Sequence, residues 1–252
     1  MAAHKRWRYV GVYGADLMCC FGVVSIGGLP QRFWAVWDRE QRRLRERTRF
    51  AAGAVVLEPG RVRVRDRGVA IDLTYDEHAS TPVEVRSQHG GNEIWTRKRV
   101  ARITGEVVLD GVARRLDAHG IVDDSAGRHA RHTAWCWSAG VGVAETGAAV
   151  AWNLVTGIHD APAGSERAVW VDGVPAEASP VRFADDLTSV AADDGSLQLH
   201  CLAEAVRSRE DNVLGLIRSS YEQPFGTFSG TLPGGVVLAE GFGVMERHDA
   251  IW

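Results

Sequence analysis

Lysine is nearly missing from this chain of 252 residues. Lys5 and Lys98 are the only two, and arginine supplies every other basic side chain, a bias read as the mark of a GC-rich genome. With a formal net charge of −3, the chain offers no basic surplus for nucleic acid or for an anionic membrane surface, and neither is expected as a partner. Cysteine is sparse as well. Cys19, Cys20, Cys136 and Cys201 form no Cys-x-x-Cys pair, and a chain of this size needs no disulfide staples, so free, buried thiols in a reducing cytosol are expected. Long apolar runs are absent. No window of about 18 apolar residues offers a transmembrane helix, and Met1-Ala-Ala-His-Lys-Arg-Trp lacks the apolar centre of a signal peptide. A cytoplasmic protein without stable membrane insertion is the expectation.

Familiar catalytic motifs are missing too. There is no Walker lysine, no Gly-x-Ser-x-Gly elbow, no His-Glu-x-x-His and no cysteine cluster. Gly11-Val-Tyr-Gly14 and Gly140-Val-Gly142 lack the strand–loop–helix setting of a dinucleotide site. His129 and His132 would share a helix face but split on a strand, so neither a metal site nor a cofactor is expected.

What is present is a strand signal. Twenty-eight glycines punctuate short runs rich in Val, Trp, Thr and Phe. Strands are expected at 7–13, 17–24, 32–37, 62–65, 69–74, 83–86, 93–100, 103–109, 133–138, 150–156, 168–171, 197–203, 213–218, 227–232 and 236–244. Asp110-Gly111, Asp172-Gly173 and Asp194-Gly195 read as hairpin turns, and Pro233-Gly234-Gly235 as a tight reversal. The one helix candidate is 38–50, with an exposed turn or an arginine-rich strand pair as its alternative. The strand count exceeds one small barrel and fits two, with no exact internal repeat. The expected fold is all-β: two lipocalin-like antiparallel β-barrel or half-barrel domains packed together, dividing into 1–115 and 116–252.

The densest chemistry lies in Gly120-Ile-Val-Asp123-Asp124-Ser-Ala-Gly127-Arg128-His129-Ala-Arg131-His132-Thr133-Ala-Trp135-Cys-Trp137. If 129–137 is extended, His129, Arg131, Thr133, Trp135 and Trp137 share one face, a mixture of flat apolar and polar groups suited to a pocket wall. The alternative is that the tryptophans are core and the charges mark a strand end. Asp123 and Asp124, read as loop acids before that strand, would hold a proton near neutral pH if tryptophan desolvates them. The alternative is a turn. Trp152-Asn153 leads to His159-Asp160 and Ser165-Glu166-Arg167, a second cluster at a strand end or in a solvated hairpin. Near the C terminus, Glu240, Glu246 and His248 alternate onto one side with Phe242 and Val244. They would line a pocket or form a buried salt bridge, with Glu246 best suited to partner an arginine.

Several stretches together resemble the bacterial domain of unknown function family 2804. They are His4-Lys-Arg-Trp-Arg-Tyr9, Ile94-Trp95-Thr96-Arg97-Lys98, the Asp123 to Trp137 segment, Asn153-Leu-Val-Thr-Gly-Ile-His159-Asp160, Gln223-Pro-Phe-Gly226-x-Phe228-x-Gly230 and Gly243-Val-Met-Glu246-x-His248-Asp249. Members of that family are often longer at the N terminus, which implies a shortened first domain here. More remotely, Asp-x-x-x-Gly followed by Trp-x-Trp is similar to a pattern in the lipocalin-like superfamily of carotenoid hydratases, AttH-like proteins and Diels–Alderases, in which a histidine often follows the first Asp; here that residue is Asp124. The resemblance implies a cavity for an isoprenoid, polyene or acyl ligand.

From these readings the expected function is acid-assisted hydration, cyclisation or isomerisation of an apolar small molecule in a barrel cavity, without a cofactor. Asp123 or Asp124 would donate the proton and His129 and His159 would relay it. Arg131, Trp135, Trp137, Trp152, Asn153, Glu246 and His248 would contact the substrate. The rival expectation is a non-catalytic lipid or isoprenoid carrier or sensor, the carrier having all acids at the rim of the cavity. A third is a polar cluster that is only a buried structural network.

Overall fold

A computed structural model describes residues 3–213 and 217–251. Ten strands build the first sheet: β1 (His4–Tyr13), β2 (Leu17–Ile26), β3 (Leu29–Asp38), β4 (Arg43–Arg49), β5 (Val55–Glu58), β6 (Arg61–Asp66), β7 (Val69–Tyr75), β8 (Val83–His89), β9 (Asn92–Leu109) and β10 (Val112–Arg128). Nine build the second: β11 (His132–Ala144), β12 (Ala149–Thr156), β13 (Ala168–Val171), β14 (Val174–Glu177), β15 (Val181–Phe183), β16 (Ser189–Ala192), β17 (Gln198–Val213), β18 (Ile217–Leu232) and β19 (Val236–Ile251). The expected strand at 213–218 contains residues 214–216, which lie outside the described residues. Among the described residues no helix is long and apolar enough to cross a membrane.

The two sheets repeat one topology. The first runs β4-β3-β2-β1-β10-β9-β7-β6-β5, with β8 added on β9; the second runs β14-β13-β12-β11-β19-β18-β17-β16-β15. In each, a four-strand meander leaves its first strand hydrogen-bonded to the last strand of its half. Each sheet then curls until its far edge returns, β5 against β2 and β3, and β15 against β12. These are the two packed lipocalin-like half-barrels that strand spacing anticipates. The duplication lies in the connectivity and leaves no exact repeat in the sequence.

The turns behave as their chemistry dictates. Asp110 and Gly111 take φ of 50° and 85°, and Asp172 and Gly173 take 48° and 80°, the left-handed pair of a two-residue hairpin. Three readings change. Residues 38–50 form no helix but a turn and the edge strand β4, because alternate arginines find acids beside the strand: Arg45 pairs with Asp110 at 2.7 Å and Arg47 with Asp66 at 2.7 Å. The expected strands 93–100 and 103–109 are one strand, β9. Gly105 at φ 151° carries β9 past Asp72, whose carbonyl oxygen would lie 2.2 Å from any Cβ there. Finally, Asp123 and Asp124 are not loop acids. They lie within β10, laddered to β1 on one side and β9 on the other. β10 crosses residue 115 without a break and stays in the first sheet throughout; the chain passes to the second sheet at residues 129–131.

Strand alternation sorts side chains into three cores. Val10, Val12, Phe21, Trp34, Ile71, Ile103 and Val122 fill the first half-barrel. Trp152, Leu154, Leu199, Phe228 and Met245 fill the second. Tyr9, Tyr13, Trp37, Ile121, Trp137, Trp170 and Phe225 fill the seam between them. Burying such a side chain stabilises by roughly 1.5–3 kcal/mol, so the two closed interiors can hold the fold while the seam accommodates polar groups.

Candidate functional site

The cavity that gathers the predicted residues opens in that seam, whereas apolar side chains pack the two half-barrel interiors. Its volume is about 140 Å³, close to the ~150 Å³ of an engineered cavity that holds benzene. Strands β1 and β11, which occupy equivalent places in the two sheets, bring aromatic rings against each other across it. Trp7 stacks on Trp135 with ring centres 6.3 Å apart and planes 10° from parallel. Tyr9 meets Trp137 edge-on at 5.3 Å. These rings form the apolar body of the wall, and polar groups converge on it from both sheets.

On the first sheet the polar group is Asp123. It stands opposite Lys98 in the β9–β10 ladder, and the lysine Nζ lies 2.6 Å from Asp123 Oδ1. The same Nζ is 3.3 Å from Glu166 Oε2, which arrives on the loop between β12 and β13. All three side chains are buried. Two carboxyls thus share one ammonium, and a proton on one of them brings the cluster to neutrality. Burial pushes the Asp123 carboxyl above its ordinary range, and Lys98 only partly restores it while Glu166 pushes further. For Lys98, burial pulls the pKa down but the two acids more than offset it, so the ammonium keeps its charge. Trp7 Nε1 completes the arrangement at 3.4 Å from Asp123 Oδ2.

Asp124, the next residue, points to the other face of the sheet. It joins Arg8, at 3.2 Å, Arg97 and Arg99, at 3.5 and 3.7 Å, on the first half-barrel's side, where Glu77 pairs with Arg8 and Arg99. The pleat of β10 therefore separates the two adjacent acids, and only Asp123 reaches the cavity.

The second sheet contributes Glu246 on β19. Trp135 Nε1 donates to its Oε1 at 2.8 Å, and Tyr221 Oη and Gln223 Nε2 donate to its Oε2 at 2.9 and 2.8 Å. Burial raises its pKa against the pull of these hydrogen bonds, and the Asp123 charge adds to the rise. Glu246 is held by three neutral donors and not by the arginine expected for it. Arg207, the nearby cation, pairs with Glu46 at 2.8 Å and stacks over Phe33 and Tyr221.

Three imidazoles line the same space: His129, His159 and His248. Burial lowers each to about 3, so all are neutral at physiological pH. Ser87 Oγ holds His159 Nδ1 at 2.8 Å, and Ser219 Oγ holds His248 Nε2 at 2.8 Å. Nε2 of His129 and Nε2 of His159 are buried with no hydrogen-bond partner, and both imidazoles line the cavity. The Lys98 charge depresses His159 and the Lys5 charge depresses His129, so each base sits by a different lysine.

The His159 loop is built rigidly. Gly157 sits at φ 93°, and any Cβ there would lie 2.3 Å from the Ala134 carbonyl oxygen, so no other residue could occupy the position without movement. His159 itself sits at φ 50°. Buried Arg167 donates to the carbonyl oxygens of Asp160 and Ala161 at 2.9 and 2.7 Å. Asn153 accepts from Trp137 Nε1 at 2.8 Å and donates to the Glu166 carbonyl at 2.9 Å, fixing a cavity wall and the acid loop together.

The structure thus brings Asp123, His129, His159, Trp135, Trp137, Glu246 and His248 to one cavity, with Asn153 directly behind it. Arg131 is exposed, and Trp152 packs on Phe228 in the second half-barrel. Among the described residues no three His, Cys, Asp or Glu side chains converge as a metal site requires.

Sequence reasoning passed over Lys98, Lys5, Trp7 and Tyr221 as site residues. A signal for Lys98 was available. Counting outward from the Asp110-Gly111 turn pairs Leu109 with Val112 and, step by step, Lys98 with Asp123 and Arg97 with Asp124. Tyr221 had no such signal, since the β18–β19 register shifts between Thr227 and Thr231.

The fold recurs in solved structures. An AttH-like protein of Nitrosomonas europaea superposes with a TM-score of 0.60 at 11% identity, covering 97% of this chain and 92% of that one. CghA with Sch210972 gives 0.58 at 11%, covering 99% and 88%. Kievitone hydratase from Nectria haematococca gives 0.56 at 12%, covering 98% and 88%. At such identities the likeness is one of fold, the fold anticipated from the superfamily resemblance. No curated protein matches the chain. Residues 92–252, well over half of the chain, match the model of a domain of unknown function, DUF2804, and the protein belongs to that family.

Proposed function

We propose that the protein is an enzyme that needs no cofactor and performs acid-assisted hydration, cyclisation or isomerisation on an apolar small molecule of isoprenoid, polyene or acyl type, with Asp123 as the acid. One observation carries this reading: a buried carboxyl with a raised pKa shares a tryptophan-walled cavity with a neutral imidazole, His159, whose Nε2 has no hydrogen-bond partner. An acid whose burial favours the protonated form, beside a neutral imidazole, supplies the two halves of proton-transfer catalysis. That kievitone hydratase and CghA share the fold supports an enzyme and leaves the substrate open.

In this scheme Asp123 gives its proton to a carbon–carbon double bond or a carbonyl oxygen. Lys98, 2.6 Å away, stabilises the carboxylate left behind. Positive charge developing on the substrate faces the indoles of Trp7, Trp135 and Trp137, each such contact being worth roughly 0.5–2 kcal/mol. His159 Nε2 then takes a proton from the attacking water, or from the neighbouring carbon in an isomerisation. Return of that proton to Asp123 restores both groups.

The carrier reading requires every acid at the rim, and the buried carboxyls of Asp123, Glu166 and Glu246 in the cavity wall count against it. The test is deuterium transfer. A panel of polyenes and prenylated aromatics is incubated with the protein in D₂O and read by mass spectrometry, with tryptophan quenching followed in parallel. Carbon-bound deuterium that disappears in Asp123→Asn is the expected result. Saturable quenching with no deuterium in any compound would make the protein a carrier, and no quenching at all would remove both readings.

A further inference from the structure

The two lysines of this chain stand in the same cavity. Lys5 lines it from β1 and Lys98 from β9, and they are 4% and 3% exposed. Every other one of the 29 basic residues is arginine, including those on the surface where lysine is ordinarily at home. Whatever drives the chain toward arginine has spared two positions that share a single 140 Å³ space. Arginine and lysine differ there in one decisive respect: a guanidinium never loses its proton, whereas a buried ammonium can and becomes a nucleophile.

The two lysines are held by different groups. Lys98 is clamped between Asp123 and Glu166 and stays charged. Lys5 Nζ donates to Thr133 Oγ1 at 3.2 Å and to the Ala130 carbonyl oxygen at 3.4 Å, both neutral groups. The titratable side chains that feel its charge include the imidazoles of His89, His129 and His248. Trp7 and Trp135 supply the apolar surface around them.

We propose that Lys5 is a Schiff-base lysine, its amine forming an imine with an aldehyde or ketone bound in the tryptophan-walled cavity. The substrate class then narrows to conjugated carbonyl compounds, a deepening that rests on the apolar-substrate reading above but not on Asp123 as the acid. The Nζ lone pair adds to the carbonyl carbon to give a carbinolamine. Both amine protons pass in turn to the oxygen, with His129 Nε2 as carrier, and the carbon–oxygen bond breaks to release one water and leave the carbon–nitrogen double bond. No oxidant or reductant is consumed. Protonated on nitrogen, the imine draws electrons along a conjugated chain, so water adds more readily at the far end of the double bond. Burial holds Lys5 at about 8, so close to half of it is free amine at that pH.

The probe is trans-cinnamaldehyde, whose single ring and short enal suit a cavity that admits a benzene-sized body. The full chain is mixed with it at mildly alkaline pH and treated with borohydride, and the adduct is located by peptide sequencing. One reduced adduct is expected, on Lys5, with none on Lys98 and only a trace on the N-terminal amine. Lys5→Arg should lower the yield at least tenfold. Melting curves show whether that variant is folded, and cinnamyl alcohol, which has the same skeleton without the carbonyl, should quench its tryptophans as it does those of the parent. An adduct only on Lys98 or the N-terminal amine, or an undiminished yield in folded Lys5→Arg, overturns the inference. So does the absence of any adduct. If cinnamyl alcohol still quenches in that last case, Lys5 loses its role while the apolar cavity stands; if it does not, the apolar-substrate reading falls as well.

Discussion

The half-barrel interiors and the seam between them are made by the same strands, and the contrast between them separates stability from chemistry. Along β10, Val122 enters the apolar interior of the first half-barrel, while its neighbours Ile121 and Asp123 turn to the seam. Along β1, Val10 and Val12 go inward while Trp7 and Tyr9 go to the seam. One face of each strand is occupied by side chains that close on themselves. The other carries Lys5, Lys98, Asp123 and Glu246, buried charges that a well-packed barrel interior would exclude.

Substitutions on the two faces should break differently. The largest effect is expected from Lys98→Met, which leaves Asp123 and Glu166 buried together without their cation. A loss of about 3–5 kcal/mol is expected in urea unfolding, with most of it recovered in Lys98→Met/Glu166→Gln. If the single variant is as stable as the parent, the cluster is not the buried ionic unit described. Next comes Ile71→Ala in the first interior, with an expected loss of about 2–5 kcal/mol from transfer and cavity terms. Its tryptophan quenching by cinnamyl alcohol should be unchanged, since no wall of the cavity moves; a changed binding curve would mean that the two regions are coupled.

Smaller still is the comparison of the adjacent acids. Asp124→Asn should cost about 1–3 kcal/mol by weakening a half-buried ionic cluster and should leave deuterium transfer intact. Asp123→Asn should abolish the transfer. The same result from both would refute the division of faces. The last comparison concerns pH, and its effect is small at any one pH near neutrality. His159 titrates near 3 when folded and near 6.5 when unfolded, so between these values the unfolded chain binds the extra proton. Its contribution therefore reduces stability as pH falls from about 6.5 toward 3, by at most about 1.4 kcal/mol per pH unit. Asp123 and Glu246, raised by burial, act with the opposite sign, adding stability at low pH that fades as pH rises through their folded values. His159→Asn, chosen because asparagine tolerates a positive φ, should flatten the acid limb of unfolding free energy against pH. A parallel limb would show that His159 does not titrate as described.

The reach of the sequence follows from how local each feature is. Period-two alternation and the Asp-Gly turns are local, so the sheets and several strands were readable, and Asp123, His129 and Trp135 stood out as chemistry. The pairing of Lys98 with Asp123 was recoverable in principle from one tight turn. The meeting of Trp7 with Trp135, or of Glu166 with Lys98, was not, because it depends on how two sheets dock and no turn connects those residues. The same reason placed the expected cavity in a barrel: a single strand announces that it has two faces, but not which of them closes on itself.

The repeated topology has one more consequence. Because β1 and β11 are counterparts, the wall of the cavity is a contact between two corresponding strands, each inside its own sheet, and the chain passes from one half to the other at residues 129–131. A small rotation of one half on the other would change the spacing of Trp7 and Trp135, and with it the width of the site, while disturbing neither interior. The width of the cavity can then be set by residues that hold its walls at the joint, such as Asn153 and Gln223, without any change inside the two folding units.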